Sequence, residues 1–196
     1  MNKCLVLFVE GDTEVEFYKS VIAFARERRS NKQFDTYIEI ENVRGIGGFK
    51  NLALRKFKMK IKPKYEDDCI FTIALCSDTD VFEFAPKPPV QWKDVEKALL
   101  LEGAHNVFLV KAEKSIEDWF LHDLDGIRSF LRLKKNTKIK GENGFKKLQC
   151  LFKQANKMYY KGMQSNGMIA KLNIEKISHA VKTQISPLYK ALGIKL

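Results

Sequence analysis

Asp78 and Asp80 stand two residues apart behind an apolar run, Cys69–Cys76, and Glu10 stands behind another, Leu5–Val9. Side chains alternate along an extended chain, so a D-x-D pair projects both carboxylates to one side with Thr79 opposite. Convergent acidic oxygens suit a hard cation such as Mg2+ or Mn2+. If the two runs are neighbouring parallel strands, Glu10 faces the pair across one sheet edge. Three carboxylates so crowded repel one another unless a cation balances them. Each motif alone has a plainer explanation. A D-x-D is common in acidic turns, and Glu10, Asp12 and Glu14 ahead of a helix suit its dipole.

These groups need elements to position them. Both runs are short and continuously apolar, the pattern of strands buried on both faces of a parallel sheet, where ligands bind beyond the carboxyl ends. Apolar periodicity predicts a helix after Gly11, capped by Asp12 or Thr13 and running to about Arg29, and a second strand over 35–43. A helix from Phe49 to Ile61 ends at Pro63. A helix over 92–102, a strand over 106–111 and a helix from Ser115 to about Leu133 follow, the last opening with a capping-box pattern. Asp123 falls inside the apolar arc of that last helix, so it must be paired or functional. The order βαβαβαβα predicts an α/β fold with a parallel sheet. Residues 134–143 read as a polar, basic linker, followed by helices over 144–161 and 174–191. The expected organisation is an α/β domain over 1–133 with a basic helical extension, 134–196, packed on it. The loop after Asp80 holds Pro86, Pro88 and Pro89. It reads equally as a substrate flap or as a fixed crossover.

Hydrophobic content of 45% suffices for a core, and no run approaches the ~18 apolar residues of a membrane span. The chain opens directly on a strand pattern, so no targeting peptide is expected. Four cysteines without a CxxC read as reduced thiols in a cytoplasmic protein, and three scattered histidines argue against zinc. Net charge is +11 and unevenly spread. Residues 126–196 carry 16 Lys and Arg against 2 acids (+14), leaving 19 against 22 (−3) for residues 1–125. That asymmetry points to a polyanion partner, most simply nucleic acid, although a merely soluble basic surface has the same charge. Arg44 and Lys50 flank the Gly45–Gly48 loop, and Lys134 and Lys135 open the basic segment; all four are candidate phosphate contacts. The glycine loop is not a Walker loop, since no GK[ST] follows. Lys161 lies beside Tyr159 and Tyr160. It can serve as a point charge on a phosphate, and the tyrosines can stack bases, unless one is core and the lysine merely solvated.

Glu10 with Asp78 and Asp80 resembles the signature of the TOPRIM domains shared by topoisomerases, primases and several nucleases: a Glu after the first strand and a D-x-D after a later one. Val9-Glu10-Gly11-Asp12-Thr13-Glu14 is similar to the VEGxTE form of the overcoming-lysogenization-defect (OLD) nucleases and of small stand-alone TOPRIM proteins. The Gly45–Gly48 loop is also similar to that branch, and the resemblance covers about residues 3–131. It implies a TOPRIM-like parallel sheet flanked by helices, and Mg2+- or Mn2+-dependent hydrolysis of phosphodiester bonds in DNA or RNA. Asp78 and Asp80 would hold the metal, and Glu10 would ligate a second ion or act as general base. A further acidic residue, Glu14 or Glu117, would complete the catalytic set. The alternative is a non-catalytic or regulatory nucleic-acid-binding module working with a separately encoded ATPase, since this chain has no ATPase motif. A third reading, phosphoryl transfer on a small phosphate substrate, requires a compact pocket.

Overall fold

The computed structural model describes residues 2–28, 36–65, 69–80, 89–162 and 166–195. Strands β1 (Lys3–Val9), β2 (Thr36–Asn42), β3 (Ile70–Asp78) and β4 (Asn106–Ala112) form one all-parallel sheet in the order β2-β1-β3-β4. The apolar runs occupy its centre. Residues 4–9 of β1 are all buried, and successive side chains enter opposite layers. Leu5, Leu7 and Val9 pack with α1 (Asp12–Arg28) and with residues 116–192, whereas Cys4, Val6 and Phe8 pack with α2 (Gly48–Lys56) and α3 (Trp92–Leu101). The period-2 alternation of a strand thus feeds two cores.

Because every strand runs the same way, their carboxyl ends share one edge. The order also creates a topological switch point between β1 and β3: α1 carries the chain from β1 to β2 on one side, while β3 lies on the other. Open parallel sheets bind ligands at such a crevice.

Several expected helices are broken. The helix expected over 115–133 is two, α4 (Ile116–Phe120) and α5 (Leu124–Leu131), separated by a 3-10 turn at Leu121–Asp123. Asp123 causes the break. Its carboxylate accepts the N–H of Gly126 at 3.4 Å, capping α5, and the N–H of Asn173 at 2.8 Å, with Lys176 Nζ at 3.4 Å. The buried acid is therefore paired and structural. α2 runs through a π turn (Phe57–Ile61) into a 3-10 turn (Lys62–Lys64) containing Pro63. α6 (Gly144–Gln154) stops short of 161, where Asn156 takes a left-handed conformation at φ 54°. After α7 (Asn166–Ile169), the helix expected over 174–191 is divided at Val181 into α8 (Ile174–Ala180) and α9 (Lys182–Ala191). Leu148, Leu151, Ile177, Ile185 and Leu188 from these helices join the core over β1, β3 and β4. Among the described residues, no helix is long and apolar enough to cross a membrane.

Candidate active site at the carboxyl edge of the sheet

Glu10 follows β1 and Asp78 ends β3, so the two strands deliver their carboxylates to either side of the switch point. The Asp78 backbone N–H donates to Glu10 Oε1 at 2.9 Å, bridging the crevice. Asp78 itself is buried and its Oδ1 accepts the N–H of Ile116 at 2.9 Å, at the start of α4. The first-turn amide of a helix is a natural partner for a carboxylate.

Two more acids arrive by helix packing. Phe17 of α1 and Phe120 of α4 pack with ring centroids 5.4 Å apart, and Phe17 also meets Trp119 at 6.1 Å. Glu14 and Glu117 each precede one of these phenylalanines by three residues. They therefore lie on the same helix faces one turn nearer the edge, and both are buried. Gly11 leaves the space Glu14 needs: a Cβ there would stand 3.0 Å from Glu14 Oε2. Ser115 caps α4 as expected: its Oγ accepts the Asp118 N–H at 3.4 Å while the hydroxyl donates to Asp118 Oδ2 at 2.8 Å.

The last third of the chain covers this cluster. Lys161 Nζ lies 3.3 Å from Glu117 Oε2, off the line of a hydrogen bond, and Tyr159 OH donates to Glu117 Oε1 at 3.3 Å. Gly162 N–H donates to Thr13 Oγ1 at 2.6 Å. Tyr159 is buried between Phe145 and Phe152, at ring distances of 5.8 and 5.1 Å. It holds Glu117 and has no face left for a base; of the two adjacent tyrosines, Tyr160 is the exposed one. Thr13, a candidate helix cap by sequence, is part of the site through its bond to Gly162.

The electrostatics follow from burial and crowding. Burial pushes Glu10 up to about 7, aided by the charges of Glu14 and Asp80 and opposed by the Asp78 amide and Lys161. Burial raises Asp78 to about 9, and Glu14, Glu10 and Glu117 add to the rise. Glu14 is raised by burial and by Glu117. Burial works to lower Lys161, but Glu117, Asp78 and Glu14 together hold it above the usual lysine value. The site keeps protons and one lysine to balance its carboxylates.

Asp80 does not sit as the alternation predicts. β3 ends at Asp78, the Thr79 N–H turns to the carbonyls of Ala112 and Lys114 (3.0 Å each), and the Asp80 N–H donates to Lys114 O at 2.9 Å. The chain bends before Asp80, so the two aspartates do not share one extended face. Asp80 remains close enough for its charge to act on Glu10. The expected flap, residues 81–91, lies outside the described residues through position 88. Arg44, at φ 61°, follows β2 at the carboxyl edge and donates its N–H to Asn42 Oδ1. Lys50 is exposed on the first turn of α2, and Lys134 and Lys135 are exposed in the turn after α5. The cysteines are free thiols, and burial raises Cys4 and Cys76 to about 12, so neither is a nucleophile.

Among the described residues, no three histidine, cysteine or carboxylate side chains are gathered tightly enough to hold a metal ion as they stand. The donor chemistry does fit one. All the candidates are hard oxygen donors, the proton affinity of Glu10, Glu14 and Asp78 is raised, and Glu117 Oε2, with Lys161 Nζ at 3.3 Å, is fully buried without a hydrogen bond. Compared with known proteins, the chain matches no protein-family model, no curated protein and no solved structure.

Proposed function

We propose that this chain is a metal-dependent nuclease of TOPRIM-like architecture, hydrolysing phosphodiester bonds of DNA or RNA at the carboxyl edge of its sheet, with its basic C-terminal extension holding the polyanion. One observation carries the reading: Glu10 and Asp78 are joined across the switch point, with Glu14 and Glu117 buried beside them under Lys161. Asp78, Asp80 and Glu10 are the residues that would hold Mg2+ or Mn2+. Bound there, such an ion would neutralise phosphate oxygens and acidify a water. Glu10, raised to about 7, is matched to accept a proton near neutral pH. Lys161, kept charged by its acidic neighbours, supplies a fixed positive charge for a phosphoryl oxygen. Glu117 pairs with that lysine, and the charge of Glu14 adds to its hold. The free thiols suit a reducing, cytoplasmic setting.

The test is incubation of the purified protein with Mn2+ and supercoiled plasmid, single-stranded DNA or structured RNA, beside Glu10→Gln and Asp78→Asn. Cleavage lost in both variants while binding persists supports the nuclease. The absence of a ready three-ligand group among the described residues favours a second reading, a non-catalytic nucleic-acid-binding module working with a separate ATPase. Wild-type protein that binds all three substrates and cleaves none establishes that reading instead.

A further inference from the structure

The lysines around α2 and those along α6 differ in their partners. On the sheet side, Lys56 and Lys60 pair with Glu41 at 2.7 and 2.5 Å, Lys64 with Glu39 at 2.9 Å, and Lys58 and Lys62 with Glu102 at 3.2 and 3.5 Å. Their charge is neutralised within the fold. On α6 and the loop before it the pattern reverses. Lys146, Gln149, Cys150 and Lys153 recur at helical spacing and share one face. With Lys138 and Lys140 they line an open cleft of about 850 Å³. None of the ion pairs among the described residues involves Lys138, Lys140, Lys146 or Lys153, and Glu142 is the one acid on the rim.

The cleft is built, not incidental. Gln154 Nε2 donates to Lys138 O at 2.9 Å, fastening the loop to the end of α6. At the other end Gly141 sits so close to α6 that a Cβ would lie 2.6 Å from Lys147 N. The opposite face of the same helix packs against the acidic edge. Gly144 abuts the backbone of Glu117 and Asp118, and Lys161 Nζ stands over the Phe145 ring at 5.7 Å. From Lys146 to Lys153 the helix rises ~10 Å, about three phosphate-to-phosphate steps along the axis of one duplex strand at ~3.4 Å each.

We propose that this cleft is the backbone track of a polynucleotide, gripping successive phosphates of one strand. That the same polynucleotide continues to Glu10 and Asp78 rests on the nuclease reading; the grip itself rests on the cleft.

The test is fluorescence anisotropy with a labelled single-stranded oligonucleotide of about 20 nucleotides, in EDTA, over a range of salt. The combined Lys138→Gln/Lys140→Gln/Lys146→Gln/Lys153→Gln protein is compared with Lys3→Gln/Lys19→Gln/Lys93→Gln/Lys97→Gln, which removes equal charge from exposed positions outside the basic extension. The cleft variant is expected to bind at least about tenfold more weakly, with a salt slope shallower by about 2–3, and the control within about twofold of wild type. Equal losses in both variants, or none in the cleft variant, overturn the proposal. A measurement on unaltered protein guards against a folding defect. Saturating oligonucleotide should slow alkylation of Cys150, in the cleft, and leave Cys69, at the amino edge of β3, unchanged. Unprotected Cys150 at saturation also overturns it. If wild type cleaves nothing with Mn2+ yet the cleft variant alone loses binding, the nuclease reading fails and the cleft stands.

Discussion

Gly162 N–H donates to Thr13 Oγ1 at 2.6 Å, joining residues 149 positions apart. Thr13 lies in the first turn of α1 between Glu10 and Glu14, and Gly162 directly follows Lys161, so this bond ties the lysine to the acidic edge. Thr13→Val keeps the shape and removes the acceptor. It should cost about 1 kcal/mol in urea unfolding, whereas Thr13→Ser, which keeps the hydroxyl, should stay within about 0.5 kcal/mol of wild type. Equal losses in the two variants would show that packing, not the bond, matters.

Lys161 and Glu117 form an asymmetric pair: the lysine side chain is 52% exposed and the glutamate 0%. Lys161→Met leaves a buried carboxylate without its cation and should destabilise by about 1–3 kcal/mol, the lower part of the range reflecting the lysine's solvent screening. Glu117→Gln retains an oxygen for Tyr159 OH and needs no cation. The double variant should therefore recover most of the loss, giving a coupling of about 1 kcal/mol or more in a thermodynamic cycle. Additive losses would mean that Lys161 does not balance Glu117.

Asp78 is raised from 3.8 to about 9 and Glu10 from 4.5 to about 7. For a group raised on folding, the stabilising contribution is complete below the unfolded value and is lost as pH rises through the folded one. The metal-free protein should lose stability from this cluster between about pH 4 and pH 9. Asp78→Asn mimics the protonated acid, can still accept the Ile116 N–H, and is indifferent to pH. It should match wild type near pH 4 and exceed it by about 1–3 kcal/mol near pH 9, in EDTA. A gap that shrinks with rising pH would contradict the raised value.

Gly144 admits α6 against α4: a Cβ there would stand 2.4 Å from Asp118 N and 2.7 Å from Glu117 C, both rigid backbone atoms. Gly144→Ala should cost about 2–3 kcal/mol and loosen the Phe145–Tyr159 contact that supports Lys161. Thermal unfolding and tyrosine fluorescence report the two effects. Unchanged melting would show that α6 sits farther from α4.

Local pattern carried part of this site and long-range packing the rest. The apolar runs of β1 and β3 mark buried strands whatever surrounds them, so Glu10 and Asp78 were legible at strand ends. Alternation sets Asp80 beside Asp78 only while the strand lasts, and the carbonyls of Ala112 and Lys114 draw the chain aside at Thr79. Asp123 stood out as an acid on an apolar arc, but its partner Asn173 lies 50 residues away, so the broken helix was not visible. Lys161 was marked by its aromatic neighbours. That it meets Glu117, and that Tyr159 holds the same carboxylate, depends on how α6 packs, which no local spacing reveals.

Metal binding should expel protons. In the metal-free site Asp78, raised to about 9, holds a proton at neutral pH, and Glu10, raised to about 7, holds part of one. A divalent ion needs both groups ionised, so binding must release about one to two protons near pH 7. Two calorimetric consequences follow. The observed heat of Mn2+ binding should vary linearly with the ionisation enthalpy of the buffer, with a slope giving that proton number, and affinity should strengthen from pH 6 to pH 9. Mn2+ at about 100 times its Kd should also raise stability by about 2.7 kcal/mol. Asp78→Asn has no proton to release at that position and should show a smaller slope and little stabilisation. Binding with a buffer-independent heat would mean that the metal sits elsewhere than on Glu10 and Asp78.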